Sequence, residues 1–144
     1  MNIRTAYLTE ADLLAAIDTA QTFSAHWTLP QWDGELANPA SRVWVCEEGP
    51  KISGFIVLRL AAGIGEIVNL AVLPEDCRRG IGTALLEAAL AAARNEGGEK
   101  ISLEVHANNL PAQALYRKAG FNEIGIREKF YGGKDDALIM GFAL

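Results

Sequence analysis

Apolar residues along this chain recur with two periods, two and about 3.6, and the switches between them mark where strands give way to helices. Ile3 to Leu8 reads as a first strand. Thr9, with Asp12 three residues on, forms a capping-box variant that opens a helix to about Thr22. From Phe23 to Asn38, aromatics mixed with Pro30 and Gly34 predict a loop and a short helix. Ser41 to Glu47 (SRVWVCE) alternates, Gly49 and Pro50 turn the chain, and Lys51 to Leu60 (KISGFIVLRL) runs back, which predicts a hairpin. Glu66 to Leu73 (EIVNLAVL) is a third apolar run. After Gly82 the spacing becomes helical at Leu85, Leu86, Ala89, Leu90 and Ala93, until Gly97 and Gly98 stop it. Ile101 to Val105 is a further strand. Asn109 opens a second helix of this half, with Pro111 tolerated in its first turn and Gly120 as its stop. Asn122 to Phe130 and Ala137 to Leu144 read as a closing pair of strands.

The order β α α β β β α β α β β implies an α/β fold: a mixed sheet with helices on both faces and a parallel pair in the middle, since a strand–helix–strand crossover favours parallel pairing. At 144 residues, half of them hydrophobic, the chain fits one domain over residues 1–144, with no internal repeat or linker. A net charge of −5 argues against a broad nucleic-acid surface, which needs clustered Lys and Arg. The opening MNIRTAYLTEADLL lacks an apolar core of signal-peptide length, and the apolar runs elsewhere are too short to cross a bilayer, so a cytoplasmic location is expected, with no membrane partner. Cys46 and Cys77, with His26 and His106, match neither a disulfide framework nor a metal-ligand spacing, so no metal is expected. Beside Arg78 and Arg79, Cys77 reads either as an oxidation-prone thiol or as a buried inert one.

The stretch Glu75 to Leu86, EDCRRGIGTALL, changes the picture. Two arginines and two glycines ahead of a helix supply bare N–H groups, cationic side chains and the positive end of a helix dipole, a combination that holds anions. A plain tight turn would use the same glycines. No Gly-Lys-Ser/Thr follows, and the third glycine of a dinucleotide fingerprint is absent. A short pyrophosphate cradle remains. In ISLEV, Ile101, Leu103 and Val105 share one face while Ser102, Glu104 and His106 share the other. A central parallel strand is usually apolar on both faces, so Glu104 calls for a reason: a solvated rim position, or a general base.

The segments NLAVLPEDCRRGIGTALLEAAL, LEVHANNLPAQALYRKAGFNEIGIREKFY and DALIM together resemble the Gcn5-related N-acetyltransferase family, and within it the bacterial RimI type, which acetylates the N-terminal alanine of ribosomal protein S18. The resemblance covers Glu66 to Met140 closely and the first half loosely. The family pattern Q/R-x-x-G-x-G/A falls on Cys77 to Gly82, and Cys77 departs from it. The resemblance implies acetyl-CoA as donor. It places pyrophosphate contacts on Arg78, Arg79, Gly80, Ile81, Gly82 and Thr83, and pantetheine contacts on the backbone of Leu70, Ala71 and Val72. Asn109 matches a cofactor-contacting position, and is equally a helix N-cap. Glu104 matches the base and Tyr116 the general acid. Trp27, Trp32 and Tyr131 fall where relatives line the acceptor cleft; as large aromatics they also suit a core. Tyr131 is favoured, because KFYGGK puts it beside two glycines. His106 could relay a proton or be structural.

The expected activity is therefore acetyl transfer from acetyl-CoA to the α-amine of a protein or peptide N-terminus, most closely that of ribosomal protein S18. Two other readings stay open. One is an acetyltransferase of a small amine, polyamine or other N-terminus. The other is a module that binds acyl-CoA and regulates a partner without turnover.

Overall fold

A computed structural model gives the fold and describes residues 1–131, the Tyr131 side chain excepted, and 134–144. The strands are β1 (Asn2–Thr5), β2 (Ser41–Glu48), β3 (Lys51–Ala61), β4 (Ile64–Val72), β5 (Lys100–His106), β6 (Asn122–Tyr131) and β7 (Asp135–Ala143). The helices are α1 (Ala11–Thr19), α2 (Leu29–Ala37), α3 (Ile81–Asn95) and α4 (Leu110–Ala119). The strands form a single sheet in the order β1-β2-β3-β4-β5-β7-β6. Every pairing is antiparallel except β4 with β5.

Period-2 alternation sorts the strands' side chains to two cores. On one face Ile56, Leu58, Ile67, Ile101, Leu103 and Val105 pack with Leu85, Leu86, Ala89, Leu90 and Ala93 of α3 and with Tyr116 of α4. On the other, Val43, Val45, Phe55, Val57 and Ala71 pack with Leu14 and Ile17 of α1 and Trp32 of α2. The sheet therefore carries helices on both faces, as its pattern predicts.

The first strand and helix are shorter than expected. β1 ends at Thr5, a 3-10 turn spans Leu8–Glu10, and α1 begins at Ala11 and ends at Thr19. Glu10, rather than Thr9, closes the turn: its carboxylate accepts the Tyr7 N–H at 2.7 Å. Arg4 of β1 grips both oxygens of the same carboxylate at 2.9 and 2.7 Å. A tertiary ion pair thus overrides the local capping signal. The caps of α4 fall where the sequence puts them. Asn109 accepts the Ala112 N–H at 3.3 Å, and Gly120 ends α4 with φ +112°.

One irregularity positions the site. β4 and β5 pair in parallel only from Ile64/Lys100 to Ile67/Leu103. On its other side β4 slips register against β3 between Val57/Asn69 and Leu58/Ile67, leaving Val68 as an extra residue. A bulge bends its strand and increases the local twist. Beyond Ile67, β4 therefore leaves β5, and a V-shaped opening separates Val68–Val72 from Glu104–His106.

Candidate active site

The opening is a cavity of about 970 Å³ running from the start of α3 to the α1–α2 connection, a size that suits a small-molecule site. At one end its lining is largely main chain. Leu70, Ala71 and Val72 turn toward it the backbone edge that β5 no longer pairs, and Arg78, Gly80, Ile81, Gly82 and Thr83 continue the wall. Arg78 (φ +68°) and Gly80 (φ +81°) both adopt the left-handed conformation, which bends the chain sharply into α3. The N–H groups of the first helical turn have no partner within the helix. Whereas Thr28 caps α2 and Asn109 caps α4 with a side chain, the α3 N-cap is Gly80 and no side chain caps that helix. A Cβ at Gly82 would lie 3.4 Å from Leu115 and 4.0 Å from Val72, both cavity-lining residues. Bare N–H groups at a helix start, in a cavity that a side chain larger than a methyl at position 82 would enter, fit a pyrophosphate.

Two neighbours behave differently from the expectation. Arg79 is not among the lining residues; its guanidinium turns away to Glu48 (2.9 and 2.6 Å) and Asp76 (2.9 Å). Donation to Glu48 raises the Arg79 pKa above its ordinary value and holds the Glu48 carboxyl below the usual carboxylate range. Only the backbone of Arg79 is left to face a ligand. Cys77 lines the cavity and is exposed rather than buried, its Sγ 3.5 Å from the Leu73 carbonyl oxygen.

Across the opening, Glu104 and Tyr116 both line the cavity, Glu104 from the splayed end of β5 and Tyr116 from α4. Tyr116 is 6% exposed and packs edge-on against Phe121, so its ring is fixed while its edge borders the opening. The Glu104 carboxylate meets Arg127 of β6 at 2.6 Å. Gln113 of α4 donates to the His106 and Ala107 carbonyls at 3.1 and 2.9 Å, tying the end of β5 to that helix. Both ring nitrogens of His106 are engaged: Nδ1 accepts the Asn108 N–H at 3.0 Å, which leaves Nε2 to donate to Asp135 at 3.2 Å. Those bonds and the Phe23 ring 4.8 Å away give His106 a clear structural role. Asn109 caps α4, and the cap leaves it on the cavity lining.

The far wall comes from Phe23, Ser24, Ala25 and Trp27, with Arg59, Glu66 and Phe130. Asp18, fully buried, holds it: its carboxylate accepts the N–H groups of His26 (2.9 Å) and Trp27 (2.8 Å), the Trp32 indole (3.2 Å) and the Asn69 amide (3.2 Å). Four donors satisfy a charge that would otherwise be costly to bury. Sequence reasoning missed Asp18, and only its place on the apolar side of α1, next to Ile17, hinted at burial. Trp32 is fully buried and absent from the cavity lining; it stacks edge-on with Trp27 and Phe55 and is a core residue, not a wall. Trp27 does line the cavity. The Tyr131 side chain and the two glycines after it lie outside the described residues.

Arg59, 6.0 Å above the Trp27 ring, donates to both oxygens of buried Glu35 at 3.0 and 2.5 Å, and Ser41 donates to the same carboxylate. Burial pushes the Glu35 carboxyl up, but Arg59 and Ser41 outweigh it and hold the group below the usual range. The pair fixes one side of Trp27 as Asp18 fixes its backbone.

Residues 8–121 match the Acetyltransferase (GNAT) family. The chain belongs to that family. A candidate ribosomal protein bS18-alanine N-acetyltransferase of Bacillus subtilis is 31% identical over 140 residues, covering 96% of this chain and 92% of that protein. An N-alpha-acetyltransferase of Sulfurisphaera tokodaii is 30% identical over 155 residues, covering 99% and 92%. The crystal structure of the ribosomal-protein-S18-alanine N-acetyltransferase from Escherichia coli superposes with a TM-score of 0.89 at 26% identity, over 99% of this chain and 92% of that one. As a GNAT enzyme the protein is an acetyl-CoA-dependent N-acetyltransferase. Among the described residues no helix is long and apolar enough to cross a membrane.

Proposed function

We propose that this GNAT enzyme acetylates the α-amine of a protein N-terminus, with the N-terminal alanine of ribosomal protein S18 as its acceptor. The observation that carries the reading is that one cavity joins the uncapped start of α3 and the unpaired edge of β4 to Glu104 and Tyr116. Acetyl-CoA supplies an activated acetyl group as a thioester. The N–H groups from Arg78 to Thr83 hold its pyrophosphate, and the free edge of Leu70–Val72 bonds the pantetheine arm as an added strand would.

An α-amine has an unperturbed pKa of about 8, so at neutral pH much of it is protonated and cannot attack. Glu104 takes that proton, directly or through water. The amine nitrogen then bonds to the acetyl carbon and the carbon–sulfur bond breaks as Tyr116 gives its hydroxyl proton to the departing sulfur; the second proton that the nitrogen sheds on becoming an amide passes to solvent, from which Tyr116 is reprotonated. Trp27 and Phe130 narrow the approach to the nitrogen, which favours a small first residue. Glu66 and Glu104 beside the acceptor end, and a net charge of −5, favour a cationic tail behind it. Relatives named for S18 alanine and for N-alpha acetylation both support an N-terminal acceptor.

The test is a peptide series varied at the first two positions and compared by kcat/KM at low and high salt. Ala-Arg peptides should exceed Ala-Glu peptides at low salt, and the gap should narrow as salt screens it. Faster reaction of free polyamines, or equal rates on Ala-Arg and Ala-Glu peptides, would show a different acceptor.

A further inference from the structure

The Glu104 carboxylate is occupied. Its Oε1 lies 2.6 Å from Nη2 of Arg127, which reaches it across the intervening strand: β7 pairs Ile139 with Glu104 on one side and Ala137 with Arg127 on the other. The partners differ in freedom, Glu104 being 21% exposed and Arg127 54%. The guanidinium carbon also stands 4.9 Å over the ring of Phe130, a cavity-lining residue. β6 loses its register with β7 between Arg127 and Tyr131, and inside that break Lys129 takes φ +51° and donates its N–H to Asp136 at 2.8 Å. Bulges of this kind re-aim side chains next to active sites.

We infer that Arg127 is a built-in competitor for the acceptor's ammonium group, a cation that holds Glu104 in the free enzyme and yields its place when a charged N-terminus arrives. The inference rests on the reading of Glu104 as the base. An α-amine arrives mostly as a cation near neutral pH, with the same charge as the guanidinium it replaces. A half-buried carboxylate therefore has a positive partner before and after the exchange, and is spared the cost of standing alone. Arg127, half in solvent, can swing out without leaving a buried cation behind. Once the nitrogen has become an amide it carries no charge, and Arg127 reclaims Glu104. Arg127 thus helps the site to distinguish a free N-terminus from one already acetylated, and favours release of the product.

The experiment is calorimetry of a short peptide beginning Ala-Arg, titrated into enzyme saturated with CoA, where no transfer can occur. Removing the competitor in Arg127→Ala should tighten the peptide about two- to fivefold, the scale of a partly exposed ion pair, with KM for the acceptor falling in parallel. Arg127→Lys keeps a competing cation and should stay close to the wild-type affinity. The N-acetylated peptide should show no tightening. In a Glu104→Gln background, Arg127→Ala should change nothing, because there is no carboxylate left to compete for. Arg127→Ala that leaves the free peptide's affinity unchanged or weaker, or that tightens it equally with Gln at position 104, overturns the proposal. Failure of the base reading looks different: Glu104→Gln alone would then keep its turnover, whatever the binding cycle shows.

Discussion

On the α3 side of the cleft the ligand-facing surface is main chain, and on the α1–α2 side it is side chain. The first needs only a bend that two left-handed residues make, a small residue at position 82, and a helix start with no capping side chain. The second needs Trp27, Arg59, Glu66 and Phe130 to converge from separate elements. It is held by two buried carboxylates that no turn motif announces, Asp18 and Glu35. A main-chain cradle tolerates changes of side chain as long as the bend survives; Cys77 stands where the family pattern has Gln or Arg, and Arg79 spends its guanidinium on Glu48 and Asp76. A side-chain wall changes its chemistry with each substitution. One side is thus suited to a ligand shared across a family, and the other to an acceptor that varies within it.

Three experiments sharpen or break that contrast. The largest effect is expected at the junction of the two sides. Glu104→Gln should lower turnover by about 10²- to 10⁴-fold, the usual contribution of a general base, with the greatest loss at low pH where more of the amine is protonated. A rate profile that Glu104→Gln leaves unmoved would reduce the mechanism to positioning of the reactants.

Next comes Gly82→Val on the main-chain side. Its branched side chain would project toward Leu115 and Val72 and fill the cradle, so acetyl-CoA affinity by calorimetry should fall by about tenfold or more, the scale of losing one or two charge-assisted hydrogen bonds. Cys77→Gln should leave that affinity close to wild type. Equal losses in the two variants would mean that side chains matter as much here as across the cleft.

The smallest is Glu35→Gln on the side-chain wall. Losing a carboxylate that accepts from Arg59 and Ser41 should cost about 1–3 kcal/mol in denaturant unfolding, and the acceptor KM should rise while acetyl-CoA affinity holds. Its pH dependence has a definite sign. A carboxyl whose pKa folding lowers contributes stability that is complete above its ordinary value of 4.5 and lost as pH falls through the folded value. Wild-type stability should therefore drop in acid below that value by an increment that Glu35→Gln lacks. Parallel acid profiles for the two proteins would remove Glu35 from the wall's support.

The sequence by itself determined the order and type of the elements, the two faces of the strand that carries Glu104 and the glycine-containing turn ahead of α3, because these depend on local periodicity and on the residues that a sharp turn requires. It also singled out Glu104 as a carboxylate on a central strand, where a charged residue calls for a reason. Only the tertiary structure decided what surrounds that carboxylate. Arg127 is 23 residues away along the chain and two strands away in the sheet, and the register of β6, β7 and β5 brings them together. The same holds for Trp32, whose aromatic character is equally at home in a wall or a core, and which the packing of α2 on Phe55 and the Asp18 bond consigned to the core. Periodicity tells which face of an element is buried, but which distant charge a buried or half-buried group meets is fixed by strand order and register, and one residue of slip would send every side chain to the opposite face.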